Sequence, residues 1–583
     1  MIVVSNAVPL PSRPGDVIAR SLAFTVYSHE SDNARVVSHG DRMVITWGER
    51  PLPSSEVNAI AERRRRAMRC FCDELGSGAV VAIDGGCMSV SVDHLGCSPA
   101  FVHTQGDGII VSSRGRDLAR MVNASVNEGW LASWMAAPPL FSPFVSTSPW
   151  HDTVRIAPGG WLRWAAGSVT YDITTPDLEG EWSSTDRYTS LAQAVEIPEP
   201  RGRVGADLSG GLDSSSVVCL AATNGQRPDV AVTCRDDRSQ TDDNDYAIDL
   251  AARLELPHEW FVLDTSMDAF SDTNAWWDSD EPWPDAPSAR RFQSWFSYLT
   301  DLGVRHHLTG AAADCVVTDN PTYLSVLAQQ REWAHLWRHC RAWGRLRHRS
   351  PMALFARAVT GSRLSLAEAV ESSVTAEVGP ERWGWDTALD RAAPTVGMRW
   401  LSATARQAAI ATTRTSLATA VPSDSDISAG VWMGLQSIRE YAQGHRAEVE
   451  LARSHGWELV SPFLDWHVAQ RFLTPDTAVR NAVDSQKPLL TEAMRGVLPD
   501  RIAQRRTKGH FNTSVYQGLN TGALATIEWL SEGHLAKRDL IDLTAVRDTL
   551  DRGRHGFRIP VGGIGRIVAA EAWLRSLDKE GLS

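Results

Sequence analysis

The sequence predicts an α/β protein: a strand-rich N-terminal region, then a doubly wound parallel sheet with large helical additions. Three observations carry this. Residues 1 to about 190 hold short β-rich runs separated by Gly and Asp. From Val204 onward, apolar strand runs alternate with helical stretches at the spacing of right-handed βαβ units. Beyond about residue 325 the pattern is mostly helical. The 583 residues are 43% hydrophobic and 22% charged, an ordinary globular composition that excludes disordered, collagenous and disulfide-scaffold chains.

In chain order, 80–83, 88–92, 100–104 and 108–112 are the clearest early strands. The basic run Arg63–Arg66 reads as a solvated helix face. Cys70 and Cys72 read as small buried apolar groups, because no second ligand pair stands near enough for a metal. The stretch 196–203, E-I-P-E-P-R-G-R, reads as a linker, giving domains 1–195 and 196–583. After it come strands at 204–208, 230–234, 260–263 and 306–308, with helices at 214–222, 246–254 and 288–302 between them. Asp280-Glu281-Pro282 reads as a loop, with a substrate wall as the alternative. His258 reads as a packing or hydrogen-bonding residue. Trp333, Trp337 and Trp343, interleaved with Arg338, Arg341 and Arg345, read as core packing rather than a peptide grip, since Trp333 and Trp337 lie one helical turn apart.

The formal net charge of −12 argues against a protein built to hold nucleic acid. No run approaches the ~18 apolar residues of a membrane span. The N-terminus has a short apolar run and no basic flank, so no secretory signal is expected. Eight cysteines without a CxxC pair read as the reduced thiols of a cytoplasmic protein. Only four of the 58 basic residues are lysine: Lys487, Lys508, Lys537 and Lys579. A lysine inside a motif therefore carries weight, and none has the surroundings of a P-loop lysine.

The first chemical motif is Ser209-Gly-Gly-Leu-Asp-Ser-Ser215, between the first strand of the parallel sheet and its helix. Ligands of open α/β sheets bind at the carboxyl ends of the strands. Two glycines let the backbone approach a ligand, and the helix N-terminus favours an anion. Asp213 would repel phosphate unless it holds a divalent cation that bridges to it.

This loop resembles the pyrophosphate-binding loop of the ATP pyrophosphatases, which cleave ATP to AMP and pyrophosphate. Further blocks resemble asparagine synthetase-type enzymes in particular: Asp243-Asn-Asp-Tyr-Ala247 with Leu254 and His258, Leu308-Thr-Gly-Ala-Ala-Ala-Asp-Cys315, Pro462-Phe-Leu-Asp465, Lys487-Pro-Leu-Leu490, Leu498-Pro499 and Arg505-Arg-Thr-Lys-Gly-His-Phe511. Asp93-His-Leu-Gly-Cys-Ser-Pro99 resembles a strand of their N-terminal domain. The resemblance implies an N-terminal glutaminase-like αββα sandwich of the Ntn type and a C-terminal ATP-pyrophosphatase domain. Glutamine-hydrolysing members use an N-terminal cysteine; here position 2 is Ile2 and the first cysteine is Cys70, so the sandwich is expected to be inactive.

Members without that cysteine make amide bonds with other amines. The run from Lys487 to Lys508 and the stretch from Arg566 to Arg575 look most like the lasso peptide macrolactam synthetases. The resemblance implies ATP and Mg²⁺ as cofactors. It implies a linear lasso core peptide as substrate, and a leader peptidase and leader-binding protein as further partners. It assigns Asp213 and Asp314 to the metal, and Ser209, Gly210, Gly211, Ser214 and Ser215 to pyrophosphate. Leu208, Thr233 and Gly310 go to adenosine, Lys487 to phosphate, and Lys508 to the reacting centre. The departures are the alanines Ala311–Ala313 in a loop that is Gly-rich in the family, and Cys315 in place of its Glu. No tyrosine base of the β-lactam-forming kind is found. The alternatives are a small-molecule amide or β-lactam synthetase, and an inactive scaffold that binds ATP or peptide.

Overall fold

The computed structural model describes the chain except residues 6–7, 9–14, 29–33, 51, 53, 63–69, 179, 198–201, 239–241, 319–321, 379–390, 421–427, 475, 482, 484–485, 506–511, 580 and 583. The Arg63–Arg66 run, part of the 196–203 linker and Lys508 therefore lie outside the described residues.

Up to residue 173 the strands form two six-stranded antiparallel sheets. The first runs β10 (Val154–Arg155), β8 (Phe101–Gln105), β9 (Gly108–Ser112), β1 (Ile2–Ser5), β3 (Phe24–Ser28), β2 (Asp16–Arg20). The second runs β12 (Ser168–Ile173), β11 (Gly160–Ala165), β7 (Cys87–Val92), β6 (Ser77–Asp84), β5 (Arg42–Arg50), β4 (Ala34–His39). Strand alternation sets the layers. In β6, Val81 and Ile83 enter the core between the sheets, while Val80 and Ala82 pack outward under the helix Ser54–Glu62. In β1, Val3 faces the same inner core, while Ile2 and Val4 pack outward with Leu118 of the helix Gly115–Val122. The result is the expected αββα sandwich.

The third sheet is parallel, in the order β15 (His258–Val262), β14 (Val230–Arg235), β13 (Arg203–Asp207), β16 (Val304–Leu308), β17 (Glu458–Val460). Ala206 and Ala231 pack on one face with the helices Leu212–Thr223 and Ala429–Ser454. Val230 and Val232 pack on the other face with Phe296 and Leu299 of the helix Ala289–Asp301. The sheet is doubly wound as predicted, and its order reverses between β13 and β16. The sequence reading places four of its strands; it does not place β17, whose three residues lie far along the chain. Among the described residues no helix is long and apolar enough to cross a membrane.

The helix Ala429–Ser454 runs between sandwich and parallel sheet. Its Arg439 donates to the His94 carbonyl at 2.9 Å, and its Arg446 lies 3.1 Å from Glu281. Glu281 also accepts from Arg155 of β10 at 2.7 Å and from Gln443 at 2.8 Å. Asp280 accepts the backbone N–H groups of Gly115 and Arg116 at 3.0 and 2.8 Å, at the start of a sandwich helix. Asp280 and Glu281 are thus buried joints between the two halves, and neither an open loop nor a substrate wall.

Two further readings are corrected. Trp333 and Trp337 are 47% and 42% exposed, so they are not core; Trp343 is half-buried and donates to the Tyr323 hydroxyl at 2.9 Å. Cys72 is buried, but Cys70 is half-exposed, with its sulfur 3.2 Å from that of Cys72. The hydrogen bond it shares with Cys72 pulls the Cys70 thiol down to about 6.

Removing Glu281 takes the carboxylate partner from buried Arg155 and leaves Arg446 with Asp280 at 3.8 Å. Glu281→Ala is expected to cost about 3–5 kcal/mol in urea unfolding, against about 1 kcal/mol or less for a surface carboxylate. A cost as small as the surface value would show that the joint contributes nothing special.

Candidate active site

The loop after β13 lies at the reversal of strand order, and its conformation follows from its small residues. Gly210 has φ of 73°, and a Cβ there would stand 2.5 Å from the Asp243 carbonyl oxygen, so only glycine fits. Ser209 N–H donates to Ser214 Oγ at 3.1 Å, and the two hydroxyls are 2.9 Å apart. Gly211 caps the helix Leu212–Thr223 without a side-chain acceptor. The first-turn N–H groups of a helix begun this way suit an anion. Ser215 is buried beneath the loop.

Two carboxylates converge beside it. Lys487 Nζ is 2.5 Å from Asp213 and 2.6 Å from Asp314. Asp314 sits in the short helix Ala313–Val317, reached from β16 through Gly310. A Cβ on Gly310 would stand 2.6 Å from Ser214 N, so the two loops are in backbone contact. Burial draws the Lys487 ammonium toward its neutral form, but the two aspartates outweigh it and raise its pKa. Its backbone is left-handed, φ 47°, immediately before Pro488. Hard carboxylate oxygens are donors that Mg²⁺ takes together with phosphate and water, so Asp213 and Asp314 fit that ion. Among the described residues no group of three or more His, Cys, Asp or Glu is suited to a metal.

A cavity of about 350 Å³ opens from this point. Asp213, Ser214 and Gly310 line one end; Arg291, Phe292, Trp295 and Asp207 line more of its wall, and Leu208 lies in it as well. Thr233 is not in the lining. Its buried hydroxyl donates to the Leu208 carbonyl behind the wall and lies 2.7 Å from His258 Nε2, which gives His258 the packing role expected of it.

Several residues of the site escaped the sequence reading. Arg505 donates to the Gly210 carbonyl at 2.9 Å, pairs with Asp242 at 2.7 Å and with Asp243, and lies 4.3 Å over the Tyr246 ring. It therefore clamps the loop to the start of the helix Asp243–Arg253. Its place in the Arg505–Lys508 run was the available signal. Arg480, fully buried, donates to the carbonyls of Val316 at 2.8 Å and Cys315 at 3.2 Å, holding the helix that carries Asp314. Nothing in its sequence context marks it. Asp207 accepts from buried His307 at 2.8 Å. In the alanine loop it is Ala312, with φ of 66°, that takes the left-handed conformation.

The sequence profile of the family described as "Asparagine synthase" matches residues 189–575. The chain belongs to the asparagine synthase family. No curated protein matches the chain. Among solved structures, an NMN synthetase from Francisella tularensis is similar at 19% identity, over 24% of this chain and 58% of that one, with a TM-score of 0.19. The chain thus spans little more than half the length of that structure.

Arg505→Lys keeps the charge but loses the fork that reaches loop and helix together. The apparent KM for ATP is expected to rise roughly tenfold or more, the range that charge-assisted hydrogen bonds carry. An unchanged KM would remove the clamp.

Proposed function

We propose that this enzyme closes the macrolactam ring of a lasso peptide. The side-chain carboxylate of an Asp or Glu in a linear core peptide attacks the α-phosphorus of ATP, giving an acyl-adenylate and releasing pyrophosphate. The peptide's own N-terminal amine attacks the acyl carbon, AMP leaves with the electron pair, and the amine proton passes to solvent. An α-amine with pKa near ~7.7–8.0 is already partly neutral at pH 7, so no strong base is required.

The observation that carries this reading is the convergence of Asp213, Asp314 and Lys487 beside the Ser209–Ser215 loop. Ser209, Gly210, Gly211 and Ser214 bind the pyrophosphate, with Ser215, also assigned to it by the sequence, buried beneath them. Leu208 and Gly310 hold adenosine, with Thr233 bracing the Leu208 carbonyl. Asp213 and Asp314 would hold Mg²⁺, which supplies charge neutralisation on the phosphates. Lys487 now bridges both carboxylates and donates to phosphate when the nucleotide arrives. Lys508 stabilises charge at the reacting centre.

Two features favour an amine that does not come from glutamine. The run from Lys487 to Lys508 resembles the lasso cyclases. Cys97 lines a cavity of about 120 Å³ between sandwich and helix Ala429–Ser454, but burial first, and Asp93 next, hold its thiol protonated. Residues 1–195 are accordingly an inactive glutaminase-like domain and 196–583 the synthetase domain of a cytoplasmic enzyme, which works with a leader peptidase and a leader-binding protein.

The test is intact mass spectrometry of a leader-free linear core peptide incubated with the enzyme, ATP and Mg²⁺. The expected product is lighter by one water, with one AMP released per ring. Asp213→Asn should abolish AMP release. AMP formation with an unchanged peptide would point to another acceptor amine, and glutamate released from added glutamine would overturn the inactive domain.

A further inference from the structure

The helix Trp333–Arg347 has two unlike faces. Leu336, His339, Cys340 and Gly344 are buried. His339 Nδ1 lies 2.7 Å from the Tyr323 hydroxyl, which also accepts from Trp343, so this face is fixed to the helix Tyr323–Gln329. Trp333, Trp337, Arg341 and Arg345 recur at four-residue spacing on the opposite, exposed face. Beside them, on the following helix Pro351–Gly361, Met352 is 73% exposed. The rings of Trp333 and Trp337 both rest on Phe355, with centroids 6.2 and 6.1 Å away, so they form one apolar patch.

The charge around this patch opposes that of the whole molecule. Residues 331–363 hold eight arginines and one acidic residue, Glu332, a formal +7 in a chain of −12; Arg338, Arg347, Arg349 and Arg357 have partners within the fold, and Arg331, Arg341 and Arg345 carry the exposed charge beside the tryptophans. Tryptophan and arginine together are the residues that dominate the energetics of protein interfaces. The sign of the patch requires an acidic partner. Its size selects among acidic partners. With a Debye length of about 8 Å, a short segment senses only the local arginines, whereas a duplex or an anionic bilayer extends over more of a chain whose net charge is −12.

We propose that the exposed face of these two helices docks a short acidic segment of another protein, whose apolar side chains seat against Trp333, Trp337 and Met352. The arginines speed the encounter and set its register. This surface is independent of the catalytic reading: binding needs neither ATP nor ring closure.

The probe is a fluorescein-labelled amphipathic peptide of Glu and Leu, compared by anisotropy with a peptide in which every Leu is Ser. The full-length protein is expected to bind the Leu peptide at least roughly tenfold more tightly than the Ser peptide. The double variant Trp333→Ala/Trp337→Ala should lose about that factor, with circular dichroism unchanged. Arg341→Glu/Arg345→Glu should weaken binding and flatten its salt dependence, and it tests the surface even if the tryptophan variant misfolds. Equal binding of the two peptides, no loss in either variant, or tighter binding of phosphatidylglycerol vesicles or oligo-dT than of the Leu peptide would overturn the proposal.

Discussion

The arrangement of the molecule depends on a few charges that have left water. Glu281 sits between Arg155 of the sandwich and Arg446 of the long helix, with Gln443 completing its hydrogen bonds. Such a cluster adds little net stability over apolar packing, but it penalises every other arrangement, because each partner alone would be a buried charge. The helix Ala429–Ser454 delivers its partners at helical spacing: Arg439, Gln443 and Arg446 fall on one face. The same helix ends just before β17 and the Pro462-Phe-Leu-Asp465 turn. One element thereby fixes the sandwich and the edge of the catalytic sheet together.

The site uses the same economy of parts. Its loops come from β13 and β16, neighbours in the sheet but about a hundred residues apart in sequence. Gly310 lets them touch, Arg505 holds one from the far side, and Arg480 holds the other. Lys487 brings Asp213 and Asp314 to a common point, so one of the two negative charges is offset from within. The two guanidinium groups act through loop carbonyls and do not enter the cavity lining.

Much of this was legible in the sequence because it is local. A short apolar strand followed by Ser209-Gly-Gly and a helix states strand, turn and ligand-facing loop within a dozen residues. β17 was not legible, because three residues carry no periodicity and gain their identity from pairing with β16. Asp280 and Glu281 looked like loop residues because sequence does not reveal partners that lie over a hundred residues away. Trp333 and Trp337 misled in the opposite direction: spacing places residues on one helix face but cannot tell whether that face meets protein or water. Arg480 escaped for the first reason, since an arginine whose partners are carbonyls leaves no pattern.

The late arrival of β17 also bears on how the chain is made. Leu308 ends β16 and Glu458 begins its neighbour, about 150 residues later. At the usual pace of translation that gap lasts roughly 8–30 s. Throughout it, one flank of β16 has its peptide groups unpaired, the kind of open border along which chains associate wrongly. The helices made in the interval are the cover available to that border on a nascent chain, until Glu458, Leu459 and Val460 are made and pair with His306, His307 and Leu308.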